Sequence, residues 1–305
     1  MKILIELPTW LGDTVMSTPA IENILRHYPE AKITLIGSKI ATEITHNHPK
    51  IIKSIILDKD LMSLYRVSKK LDHFDFFISF RNSFRSRFFK FFVKSPDKFH
   101  FKKNSYKGQH QVQKYNSFVC RVFKINEPAG MLNLYSNNAN FSYSRPTLGI
   151  NPGASYGSAK RWAPENFAEV AFRLSKKYDI YIFGGENEKD AAYEIEKLLL
   201  KYGVKNYRNL SGKTSIDDLV MYISKLNLFI TGDSGPMHIA ASFKIPTVSI
   251  FGPTNYIETS QWMNINSTIV KKTLDCQPCM KRTCPLGHHN CMKLIKPDEV
   301  LQVLR

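Results

Sequence analysis

Apolar residues in this chain fall into short runs that alternate with stretches of helical spacing, and the alternation occurs twice. Lys2-Ile3-Leu4-Ile5-Glu6 is the kind of run expected of a strand buried on both faces in a parallel sheet. Leu11-Gly12-Asp13-Thr14 breaks it, after which Val15, Ala20, Ile21, Ile24 and Leu25 recur at helical spacing up to His27. A strand at 33–36 closes a βαβ unit of the usual length. Strands at 51–57 and 74–80 around a helix at 61–71 continue the pattern. It restarts at 148. Strands at 148–151, 180–183, 228–231 and 247–251 alternate with helices at 164–177, 188–201, 215–224 and 237–242, and a last helix spans 297–304. Such alternation predicts parallel sheets covered by helices. The polar stretch 137–146, with Asn137, Asn138 and Asn140 and no periodicity, is the natural linker. The reading is an α/β chain of two Rossmann-like domains, 1–145 and 146–305, facing across a cleft, with the last helix placed to pack back on the first domain.

Residues 81–124 depart from this pattern. They hold 12 Lys or Arg against one acid, Asp97, and 11 Phe lie between positions 74 and 101. One reading is an amphipathic surface that touches lipid. The favoured one turns the Phe side chains toward the core and leaves the cations in water, with partial membrane contact kept open.

Composition narrows the class. At 305 residues the chain exceeds one ordinary core and suits two domains. With 43% hydrophobic and 23% charged residues it is globular rather than disordered. No apolar run reaches the roughly 18 residues of a membrane-spanning helix. The first apolar stretch carries Glu6 and Asp13 and has only Lys2 as a basic leader, so it reads as a strand rather than a secretory signal, and a cytoplasmic location is expected. Net charge is +17, with 23 basic and 11 acidic residues in 1–150 against 20 and 15 in 151–305. Such a field attracts a polyanion: nucleic acid, an anionic membrane surface or a phosphorylated glycolipid. No helix-turn-helix, RNP or zinc-finger pattern supports the first, so no specific nucleic acid is expected, and a basic nucleic-acid-binding protein remains a distant alternative.

Four loops carry candidate chemistry. The stretch from Asn151 to Trp162 follows a strand and precedes a helix. Its small residues let backbone N–H groups approach an anion, Ser155 and Ser158 add hydroxyls, and Lys160 and Arg161 add charge. The alternative is an ordinary strand-to-helix loop. Gly232-Asp233-Ser234-Gly235-Pro236-Met237-His238 occupies a similar place, with Pro236 suited to a first helical turn and Ser234 or Gly235 to the cap, so free N–H groups there can hold a diphosphate. Otherwise Asp233 merely caps and His238 merely packs. Glu186 and Glu188 follow a strand and are placed to accept from ribose hydroxyls, or simply open a solvated helix. Asp13 either caps the next helix or faces the cleft as a general base. Cys276, Cys279, Cys284 and Cys291 form C-x2-C-x4-C-x6-C, with zinc, free thiols or a disulfide as the choices.

Leu11-Gly12-Asp13-Thr14-Val15-Met16-Ser17-Thr18-Pro19, Asn151-Pro152-Gly153-Ala154, Lys160-Arg161-Trp162, the Gly232-to-His238 loop and Phe251-Gly252-Pro253-Thr254 together resemble the lipopolysaccharide heptosyltransferases, glycosyltransferase family 9. The resemblance runs from Met1 to the last helix and is weakest at 81–124. The cysteine-bearing tail is similar to the branch that adds the second heptose. The resemblance implies a GT-B fold, with an acceptor-binding first domain and an ADP-heptose-binding second one. It implies inverting transfer of L-glycero-D-manno-heptose from ADP-L-glycero-β-D-manno-heptose to the first heptose of a heptosyl-Kdo2–lipid A type acceptor. Branches that add the first or third heptose are the runner-up. Asp13 and Lys160 are then catalytic, and Ser155, Lys160, Glu186, Glu188, Asp233, Ser234, Gly235, Pro236 and His238 bind the donor. Thr14, Arg81 and Arg85 are the acceptor candidates. No metal is required, and zinc at the four cysteines stays open but is not expected. A lipid acceptor places the protein at the inner face of the inner membrane, peripheral and held by anionic headgroups.

Overall fold

The computed structural model describes residues 1–136, 140–153 and 156–304. The chain divides into two compact units, Met1–Tyr135 and Ser136–Arg305. The division precedes the 145/146 boundary read from the sequence. Phe141 and Tyr143, inside the stretch taken as a linker, join an aromatic cluster with Tyr181 and Tyr222, and the Tyr143 hydroxyl donates to the Tyr222 carbonyl at 3.0 Å. Asn137 and Asn138 lie outside the described residues.

The first unit holds a parallel sheet of β1 (Lys2–Glu6), β2 (Lys32–Gly37), β3 (Ile51–Ile56), β4 (Phe76–Ser79) and β5 (Asp97–His100), in the order β3-β2-β1-β4-β5. Its helices are α1 (Leu11–His27), α2 (Lys39–Thr45), α3 (Leu61–Lys70), α4 (Phe84–Phe92) and α5 (Gln111–Phe123). Central β1 is apolar because both faces are covered: Ile3, Leu4 and Ile5 are fully buried. α1 begins four residues before the periodicity does. Leu11-Gly12-Asp13-Thr14 is its first turn, not a break, and Asp13 there complements the helix dipole.

The Phe-rich stretch divides its load. Phe74, Phe77, Phe80, Phe89, Phe101 and Phe118 are buried, as the favoured reading expects, whereas Phe84 and Phe91 on α4 are 67% and 79% exposed. Thirteen residues of the basic segment form α5, which the sequence pattern did not reveal. α5 packs on α1, and Asn23 Nδ2 donates to Asn116 Oδ1 at 2.8 Å between them.

The second unit holds β6 (Thr147–Asn151), β7 (Asp179–Ile182), β8 (Tyr207–Asn209), β9 (Leu228–Gly232), β10 (Thr247–Phe251) and β11 (Ser267–Lys271), all parallel, in the order β11-β10-β9-β6-β7-β8. Around it lie α6 (Pro164–Leu174), α7 (Lys189–Lys201), α8 (Ile216–Ser224), α9 (Gly235–Ser242), α10 (Tyr256–Thr259), α11 (Asn290–Lys293) and α12 (Pro297–Gln302). Both sheets thus reverse strand order beside their first strand, the doubly wound pattern whose crevice lies at the carboxyl ends of the two strands flanking the reversal. In β6, Gly149 admits the neighbouring core: a Cβ there would stand 2.4 Å from Leu226 and 2.8 Å from Phe229. The last helix, α12, packs on α6 of its own unit, with Val300 in the second unit's core and Arg173 paired to Asp298 at 2.5 Å. Among the described residues no helix is long and apolar enough to cross a membrane.

Candidate active site

The order reversal of the second sheet falls between β6 and β9. Asn151 ends β6, and Gly232 ends β9. Ser234 is the N-cap residue of α9, yet its hydroxyl does not cap the helix. It is hydrogen-bonded instead to Thr231 Oγ1 at 3.0 Å and accepts from Asn151 Nδ2 at 3.2 Å. Pro236, in the first turn, has no N–H to satisfy. The start of α9 thus carries no side-chain cap, and a helix start of this kind can hold an anion. His238, one turn in, is 3% exposed and belongs to the helix's packed side.

Lys160 rides on a short 3-10 turn, Ser158–Lys160. Its Nζ donates to Asp233 Oδ2 at 2.6 Å and to the Asp233 carbonyl at 3.2 Å, and it lies 4.7 Å from the centre of the Tyr156 ring. Thr254 Oγ1 donates to the same Oδ2 at 2.6 Å. Both charged side chains are largely buried, so the ammonium is held at one point beside the start of α9. The Asp233 carboxylate faces the lysine and the threonine, which makes it the holder of Lys160. Ser155 and Ala154 lie outside the described residues.

Beside these loops is an open pocket of about 270 Å³, lined among others by Asn151, Gly185, Glu188, Thr214, Leu219 and Pro236. Glu188 points inward. Its Oε2 accepts the Gly185 N–H at 2.6 Å, and its carboxyl lies so close to Gly153 that a Cβ on that glycine would stand 2.1 Å from it. Glu186 lines the rim and is paired with Lys189 at 2.6 Å in water. Glu188 is thus the acid set inside the pocket.

In the first unit Asp13 is half-buried in the first turn of α1, and Tyr115 of α5 donates its hydroxyl to Asp13 Oδ1 at 3.2 Å. Burial first, and then the neighbouring Asp13 charge, push the Tyr115 phenol well above its ordinary range, so it remains a donor. Thr14, expected to meet the acceptor, is fully buried and donates to the carbonyls of Pro8 and Trp10. Its hydroxyl braces the turn behind Asp13 instead of facing a ligand. Arg81 lies 3.5 Å from the buried Glu6 carboxylate and keeps 15% of its side chain exposed. Arg85 donates to the Asp58 carbonyl. Glu6, at the end of β1, also accepts from Ser79 Oγ at 2.6 Å and from Ser86 Oγ.

The four tail cysteines are all free thiols and line one small pocket with His288 and His289. Among the described residues no three such side chains already stand in a metal-holding arrangement. Sequence reading missed Tyr115, which lies 102 positions from Asp13, and the roles of Tyr156 and Thr254. Thr254 was within a quoted motif, but nothing in the motif says which way its hydroxyl points.

Two parallel Rossmann-like units, with an anion-ready helix start and a fixed lysine at the second crevice, are the parts of a GT-B glycosyltransferase. A solved E. coli ADP-heptose LPS heptosyltransferase II has this fold, with a TM-score of 0.82 at 24% identity over 100% of this chain and 97% of that one. Residues 64–290 match the family described as glycosyltransferase family 9 (heptosyltransferase). The chain is 41% identical over 312 residues to lipooligosaccharide heptosyltransferase 2 of Campylobacter jejuni subsp. jejuni serotype O:2, covering 99% of this chain and 97% of the relative. It is 25% identical over 340 residues to lipopolysaccharide heptosyltransferase 2 of Escherichia coli K12, at 100% and 97% coverage. The chain belongs to glycosyltransferase family 9, the heptosyltransferases.

Proposed function

We propose that this chain is a heptosyltransferase II: it moves L-glycero-D-manno-heptose from ADP-heptose to the first heptose of the lipopolysaccharide or lipooligosaccharide inner core. The likeness along the whole chain to a heptosyltransferase 2 carries the choice of acceptor. The site chemistry agrees with a single inverting displacement. Asp13 takes the proton of the acceptor hydroxyl as that oxygen bonds to the anomeric carbon. The bond from the anomeric carbon to the ADP oxygen breaks, and the negative charge arriving on the diphosphate is met by Lys160 and the start of α9. Asp233 and Thr254 keep Lys160 aimed, Glu188 accepts from the ribose hydroxyls, and Ser234, Gly235 and Pro236 shape the diphosphate seat. Arg81 is the acceptor-facing cation of the first unit. With a lysine and a helix dipole at the leaving group, transfer needs no added divalent ion.

The acceptor is part of a lipid, so the protein works at the cytoplasmic face of the inner membrane without spanning it. The exposed Phe84 and Phe91, among the cations of 81–124, are the attachment surface.

The test is incubation with ADP-heptose, in EDTA, of acceptors bearing zero, one or two heptoses, with products read by mass. One added heptose on the singly heptosylated acceptor is expected. Product on either of the others alone would reassign the chain to the first or third transfer. Full loss in EDTA that magnesium or manganese restores would end the metal-free mechanism.

A further inference from the structure

We propose that Cys276, Cys279, Cys284 and Cys291 bind one thiophilic divalent cation, with zinc as the favoured occupant, and that the ion clips segment 272–290 against the turn carrying Lys160.

The segment has a support role but little apolar burial of its own: beyond Leu274 against the core it is held by polar contacts, Gln277 Nε2 donating to the Gly252 carbonyl at 2.6 Å and the Met280 N–H to the Pro253 carbonyl at 2.9 Å. Residues 272–289 form no helix or strand, and no side chain of 272–290 is fully buried. A loop of this length normally lacks the apolar burial to fix its own conformation. Yet it braces the lysine turn at several points. The Ala159 N–H donates to the Arg282 carbonyl at 3.0 Å, His289 Nε2 meets the Ala159 carbonyl at 2.7 Å, and Tyr156, whose ring lies under Lys160, donates its hydroxyl to the Met280 carbonyl at 2.8 Å. A Cβ at Gly157 would stand 2.4 Å from the Arg282 carbonyl oxygen.

What the segment does bring together is sulfur. All four thiols line a single pocket of about 20 Å³, the room of one ion or water, closed on one side by Ala159 itself. Cys276 and Cys279 are a C-x2-C pair of chelating spacing. The His289 N–H donates to Cys284 Sγ at 3.4 Å, which turns that sulfur in toward the tail loop. No disulfide uses any of the sulfurs. Since no three of these groups are preset at ligand geometry, the ion draws the loops inward as it binds, and its binding energy becomes ordering energy for the segment. Four thiolates select zinc or ferrous iron over magnesium or calcium.

The test uses the full chain, purified under reducing conditions without chelator. Elemental analysis is expected to give one zinc or iron per chain, with iron told apart by its visible thiolate absorption. Four of the five thiols are expected to resist a thiol reagent until a strong chelator is added, leaving Cys120 as the reactive reference. Chelation is expected to expose 272–290 to protease and to weaken ADP binding about tenfold. Metal-free protein that takes up no zinc on reconstitution, five thiols reacting at once, or a disulfide among the four in an unreduced digest would each overturn the proposal. Metal content and thiol protection need no sugar donor, so their outcome is separate from that of the transferase assay.

Discussion

Lys160 Nζ lies 2.6 Å from Asp233 Oδ2 across 73 positions of sequence, with the two side chains 12% and 7% exposed. A largely buried cation held by one carboxylate is fixed in position, and in the proposed mechanism it meets the departing diphosphate. Lys160→Ala should lower kcat/KM for ADP-heptose by about 10²–10³-fold, the scale of losing one donor to a leaving group. Asp233→Asn should lower it less. Because the aspartate acts through the lysine, the double variant should be no slower than Lys160→Ala alone. Additive losses in steady-state kinetics would show instead that Asp233 touches the donor by itself.

In the proposed mechanism Asp13 is the base, and Tyr115, which donates to its carboxylate, orients it. Asp13→Asn should cost about 10²–10⁴-fold in turnover while ADP still binds in calorimetry. Tyr115→Phe removes a donor to the carboxylate, so the acid limb of the kcat/KM profile should move to higher pH. A folded Tyr115→Phe protein with an unmoved profile would make the tyrosine a packing residue.

Glu22 gives the first unit a pH-dependent clamp. Burial pushes its carboxyl up, but bonds from His48 at 2.8 Å, Asn133 at 2.7 Å and Tyr135 outweigh it, and the net shift is downward. A lowered folded value means stability that is present above about pH 4.5 and is lost as pH falls through the folded value. Urea midpoints of the wild type should therefore drop more steeply below pH 5 than those of Glu22→Gln. Parallel curves would remove the clamp.

Phe84 and Phe91 stand in water at 67% and 79% exposure, with Arg87, Lys90 and Lys94 close in sequence. Replacing both with Ser should cut sedimentation with anionic vesicles several-fold at low salt without altering transfer to a soluble truncated acceptor. Equal binding to neutral and anionic vesicles would leave the basic field as a solvated face.

Much of this was legible in the sequence because parallel strands buried on both faces are written as apolar runs, and the donor loops sit at their ends. Elements with a mixed face were not. α5 is hidden because the polar Lys114 and Asn116 are buried within its apolar stripe, and with it went Tyr115. Gly12 made the first turn of α1 look like a break, although a polar turn at a helix start costs little. Glu6 reads as the last residue of a strand. Its burial depends on Ser79 and Arg81, which only the pairing of β1 with β4 brings near.

Each sheet has a crevice where its strand order reverses, but the two are not equivalent receptors. In the first, the Glu6 carboxylate is 2% exposed and its oxygens are taken by Ser79, Ser86 and Arg81. A buried carboxylate that already holds the hydroxyls beside it disfavours a phosphate there. The second crevice keeps its pocket and its lysine. On the proposed reading only the second unit takes nucleotide, and calorimetric titration with ADP should saturate at a single equivalent.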